Sequence, residues 1–142
     1  MKFKFSLEPV LKVRKHQEQL QKQKLAEQVS KKNEINHLRN NVQGSLEEYL
    51  NTSNAAEVTN IQVIKRHSTH LEQVHKRMED LRVQMEKVDE KVSEERLKLA
   101  DAHKKLHILD KLKEGEHANY MTNSAREEQK FMDEISSQSY SR

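Results

Sequence analysis

Between Leu71 and Leu109 apolar side chains return in steps of three and four. The series is Leu71, Val74, Met78, Leu81, Met85, Val88, Val92, Leu99, Ala102, Leu106 and Leu109, with Glu95 alone out of type. A heptad cadence held this long winds an apolar stripe along one side of a helix, and such a stripe requires a second helix beside it. Leu71, Val74, Met78, Leu81, Met85, Val88, Val92 and Leu99 are therefore the expected coiled-coil core. Glu95 marks a local opening or a register signal within it.

The rest of the composition supports this reading. Three Phe, three Tyr and no Trp cannot fill the centre of a 142-residue globule, and 35% of the residues are charged. High polarity with regular apolar spacing belongs to long helices and coiled coils. The spacing predicts helix one over about residues 7–50, a turn over about 51–56 and helix two over about 57–114, with a helical continuation over about 116–135. In helix one the stripe thins between Leu11 and Leu25 and its phase slips. The turn is placed on Asn51-Thr52-Ser53-Asn54, with Ser53 or Asn54 as the cap of the next helix. Ser6 is the expected cap of helix one, and Pro9 sits where a first turn tolerates it. Gly115 is expected to end or loosen helix two, and serines at 136, 137, 139 and 141 to fray the tail. A short connection between long helices favours an antiparallel pair. The expected fold is all-α: a long antiparallel two-helix coiled-coil hairpin, one domain over residues 1–142, with the second helix longer. With the turn near residue 53, helix two has no internal partner past about Leu99, and its later leucines overhang, which marks either a binding surface or a turn that lies further on, nearer residue 60.

Most chemistry is excluded on simple grounds. Two glycines leave no phosphate-cradling loop. A pair of helices encloses no cleft that shifts pKa values or expels water, so no enzyme, catalytic residue or cofactor is expected. His67 with His70, and His103 with His107, lie at spacings that put two imidazoles on one face, but two ligands do not make a metal site. Lys2, Lys4, Lys12, Arg14 and Lys15 are the densest basic group, too modest to track a nucleic-acid backbone, and the net charge is only +3. No stretch is apolar enough to span a bilayer, and the start of the chain lacks a secretion signal, so a cytoplasmic location is expected. Met1, Phe3, Phe5 and Leu7 alternate with Lys2, Lys4, Ser6 and Glu8. A period of two marks an extended arm, laid on a partner or back on the overhanging end of helix two.

The two ends of the chain resemble the FliJ family, the coiled-coil component of the flagellar type III protein export apparatus. At the start the similarity rests on Phe3-Lys4-Phe5-Ser6-Leu7-Glu8-Pro9-Val10-Leu11 followed by Val13-Arg14. At the other end it rests on Leu109-Asp110-Lys111-Leu112-Lys113-Glu114, Tyr120, Glu127-Glu128-Gln129-Lys130 and Met132-Asp133-Glu134. The resemblance implies an antiparallel two-helix rod that binds the hexameric export ATPase ring and promotes its assembly and turnover. It also implies coupling to the cytoplasmic side of the membrane export gate and cycling of export chaperones. Its location would be cytoplasmic and peripheral at the inner face of the membrane, with only indirect membrane association, no nucleic acid, and a monomer when free. On this basis Phe3, Phe5, Leu7, Val10, Leu11, Leu106, Leu109 and Leu112 are the expected ATPase-ring or partner surface. Tyr120, Glu128, Gln129, Lys130, Asp133 and Glu134 are the expected gate or partner contacts. Gly115 and the serine-rich tail depart from the family pattern. The competing readings are the equivalent stalk of a virulence type III secretion system, a generic coiled-coil scaffold or dimer, and a helical chaperone or adaptor for export substrates.

Overall fold

The structure, a computed structural model, describes residues 2–54 and 61–140. They form two helices, α1 (Glu8–Asn54) and α2 (Ile61–Tyr140), and no strand occurs among the described residues. The fold is all-α with the second helix the longer, 80 residues against 47. The chain divides into two compact units, one of Met1–Gln21 with Leu99–Arg142 and the other of Lys22–Lys98.

In the first unit the helices are antiparallel. Glu8 pairs with Lys113 at 3.1 Å, and Glu18 pairs with His103 at 3.3 Å. Moving ten residues up α1 thus moves the contact ten residues down α2. Leu11 and Leu109 are buried here together with Phe5, and Phe3 and Leu106 pack against them. Burying a leucine or phenylalanine contributes about 1.5–3 kcal/mol, so this small cluster is the main fastening of the unit. The α1 seam positions are Leu11, Arg14, Glu18 and Gln21, each wholly or partly buried. Most of that seam is polar, which is why the sequence stripe looks thin there.

The second unit is antiparallel as well, with Lys32 Nζ 2.9 Å from Asp89 Oδ1 and Tyr49 bonded to His67. Its α1 seam is Leu25, Gln28, Lys32, Ile35, Val42, Leu46 and Tyr49. On α2, Leu71, Val74, Met78, Leu81, Met85, Val88 and Val92 are all wholly or partly buried, Leu81 completely. Glu95 keeps its place in this cadence, and its carboxylate lies 3.7 Å from Lys98 Nζ. On the outer surface the Arg82 guanidinium reaches Glu79 and Glu86. The hydrogen bond from Arg82 holds the Glu79 carboxyl below the usual carboxylate range, and the same contacts push Arg82 still higher.

Four local expectations are corrected. Asn51 to Asn54 are helical, not a turn. Thr52 Oγ1 donates to the Glu48 carbonyl at 2.8 Å, which gives a turn-prone hydroxyl a partner inside the helix. The remainder of the expected turn, residues 55–60, lies outside the described residues. Ser6 does not cap α1: its hydroxyl donates to Glu116 Oε1 at 3.1 Å, while the Leu7 carbonyl accepts the first helical bond, from Leu11 N at 2.9 Å. Gly115 does not end α2, which runs on through it, and its φ is not in the left-handed region. The roughly 1 kcal/mol that glycine costs a helix is outweighed by contacts on both sides of it, from Lys113 to Glu8, from Glu116 to Ser6 and from His117 to Phe3. Finally, Ser136, Ser137 and Ser139 are helical, since serine lowers helix stability by only a few tenths of a kcal/mol, while Ser141 lies outside the described residues.

Candidate functional site

The N-terminal arm folds back onto its own chain. Phe3 sits edge-on to His117 with ring centres 4.9 Å apart and leans on Tyr120 at 5.5 Å. Phe5 is buried against Leu11 and Leu109. Of the two placements open to an extended arm, the structure has the one on α2.

This changes the meaning of the expected ring-binding surface. Phe5, Leu11 and Leu109 have at most 8% of their surface exposed, and Phe3 and Leu106 are partly covered. They close the seam instead of overhanging it, because α1 reaches along α2 to Lys113, and Ser6 of the arm before it to Glu116, not merely to Leu99. Leu7, Val10 and Leu112 remain exposed and available. Phe3 stands as a wall between two open recesses of about 470 and 400 Å³. His107, Lys111 and Glu114 line the first, and Lys4 and Glu8 the second.

The uncovered part of this unit is the far end of α2. Tyr120 is half-buried under Phe3, but every residue from 125 to 140 is exposed. Met121, Phe131, Met132, Ile135 and Tyr140 each have about half or more of their surface in water. Glu128, Gln129, Lys130, Asp133 and Glu134 are exposed alongside them, and Gln129 Nε2 donates to Asp133 Oδ1 at 3.1 Å. At 1.5 Å per residue the stretch after Tyr120 is about 30 Å of helix. The sequence carries the signal for it: Phe131, Met132 and Ile135 are large apolar groups in a tail otherwise polar, spaced to share a face.

The second unit has its own open surface, which sequence spacing alone did not single out. Ile64, Ser68, Leu71 and His75 line one side of an apolar recess of about 690 Å³. Beside it Tyr49 stacks on His67, ring centres 5.0 Å apart and hydroxyl to Nδ1 2.6 Å, and also meets His70 at 4.3 Å. His67 is thus a seam residue satisfied by a polar partner.

Among the described residues no three His, Cys, Asp or Glu side chains are grouped to hold a metal ion. No helix among them is long and apolar enough to cross a membrane.

No individual curated protein and no solved structure matches the chain significantly. The family described as "Flagellar FliJ protein" matches over residues 3–142, nearly the whole chain. The chain belongs to the FliJ family and is a component of the flagellar export apparatus.

Proposed function

We propose that this chain is a non-enzymatic helical element that binds the hexameric export ATPase, promotes its ring assembly and turnover, and links it to the cytoplasmic side of the export gate. The observation that carries the reading is the end of α2, where Phe131, Met132 and Ile135 are uncovered beyond Ser124, the last partly buried residue described on that helix. A helix presenting anchors at this spacing is suited to lie in a groove of another protein. Leu7, Val10 and Leu112 extend the docking surface of the same unit. The separate recess along Ile64 and Leu71 gives the second unit its own surface, as a linker between two partners requires. Export chaperones released after delivery would use these same exposed surfaces, and the chain would reside at the inner face of the membrane through its partners alone.

The test is turnover of the cognate export ATPase with and without the chain. Wild type should stimulate hydrolysis. Phe131→Asp with Ile135→Asp should abolish stimulation while far-UV circular dichroism stays unchanged, because both side chains face water in the free chain. Stimulation that survives this double substitution would remove the end of α2 from the reading. No stimulation by the wild type would remove the ATPase.

A further inference from the structure

The charges around the free end of α2 are sorted by face. With roughly 100° between successive residues, Phe131 and Ile135 lie together, with Met121 and Met132 beside them on the same half of the helix. Glu127 and Glu134 border Phe131 on one side, and Glu128 projects between Ile135 and Met132. The two basic residues of the stretch, Arg126 and Lys130, lie on the opposite half. The apolar face therefore carries three carboxylates and no cation of its own, Lys130 standing outside the border that Glu127 and Glu134 make. Phe131 and Ile135 also continue the three-and-four cadence that brings Leu109 and Tyr120 to the seam, so this face points where a partner helix would run.

We infer that the end of α2 is a recognition helix for a basic amphipathic helix of another protein, one whose apolar stripe is bordered by Lys or Arg. The inference rests on the proposed docking role of this end and names the chemistry it selects. Pairing with the same face of a second copy would oppose three carboxylates to three others, which like-charge repulsion disfavours. A partner with basic borders gains apolar burial and complementary charge together. The carboxylates steer the encounter, and the apolar anchors hold it.

The full chain is tested first against a fluorescein-labelled peptide of leucine and lysine in heptad spacing, by anisotropy at low and at physiological salt. The counterpart with glutamate replacing lysine serves as the opposing probe. The lysine peptide should bind, and the glutamate peptide should not. Glu127→Lys with Glu128→Lys and Glu134→Lys should weaken binding about tenfold or more at low salt and flatten its salt dependence. Arg126→Glu, on the other face, should leave it unweakened. Equal binding of the two peptides, or equal loss from the two charge reversals, overturns the inference. The second arm repeats ATPase turnover with the same variants. Stimulation unchanged by reversal of the three glutamates overturns the inference and leaves the ATPase role standing. Wild type that selects the lysine peptide yet fails to stimulate overturns that role and leaves the recognition chemistry standing.

Discussion

Leu109 and Leu112 are three residues apart on one helix and have the same side chain, yet one closes a seam and the other faces water. Leu109 retains 8% of its surface exposed, and Leu112 retains 48%. Leucine to alanine removes three carbons, worth roughly 0.8 kcal/mol each when fully buried. At Leu109 nearly all of that is lost, about 2.4 kcal/mol. A deep cavity would add to it, but a two-helix seam lies close to solvent and can close over the gap, so little is added. At Leu112 only half of the side chain was withdrawn from water, and the cost is about 1 kcal/mol. The equilibrium constants for unfolding should then change about 50-fold and about 5-fold. Urea titration followed at 222 nm measures both. Leu11→Ala should couple with Leu109→Ala, because the two share one cluster, by an interaction energy of about 0.5–2 kcal/mol. It should add independently with Leu112→Ala. Equal costs at the two leucines, or strict additivity between Leu11 and Leu109, would refute the assignment of Leu109 to the interior.

Three further outcomes are expected. Gly44→Ala and Gly115→Ala should each raise stability by about 0.5–1 kcal/mol, since an added Cβ meets nothing within 4 Å at either position; a fall in the urea midpoint would contradict this. Tyr49→Phe keeps the ring stacked on His67 but removes the hydroxyl bonded to Nδ1, and should cost about 0.5–1.5 kcal/mol in the same titration. The Glu79 carboxyl is held below its ordinary value by Arg82. Its folded pKa lies beneath its unfolded one, so the pair supports folding at neutral pH and loses that support as pH falls through the folded pKa. Arg82→Gln should move the Glu79 titration upward in a carbon-detected NMR experiment, and no movement would remove the contact as its cause.

The α2 cadence from Leu71 onward was legible because its residues are apolar at nearly every seam position. The α1 cadence is equally regular: Leu11, Arg14, Glu18, Gln21, Leu25, Gln28, Lys32 and Ile35 keep the same steps. It went unseen because hydrophobicity alone cannot mark a seam position held by arginine, glutamate or lysine. The overhang expected past Leu99 followed from placing a turn on small polar residues. Such residues favour turns only when their side chains compete for backbone groups, and Thr52 bonds within the helix instead. Gly115 was misread for a related reason, since propensity is a weak prior beside the contacts that Glu8, Ser6 and Phe3 make around it. The candidate site was half legible. The apolar groups of the two end segments stand out in the sequence, but which of them the arm conceals depends on how far the arm runs along α2.

The polar pairs along the helix seam have an effect on alignment. Leucines repeating every seventh place would accept a slide of one repeat with little change in fit. Glu18, with 8% of its surface exposed, would not. A slide would carry its carboxylate away from His103, just as it would carry Lys32 away from Asp89. A carboxylate as covered as Glu18 is costly to part from a partner, and the half-exposed pair of Lys32 and Asp89 adds at most about 1 kcal/mol to the same preference. These few polar partners therefore act like the teeth of a key, admitting one setting of the helices where grease alone would admit several.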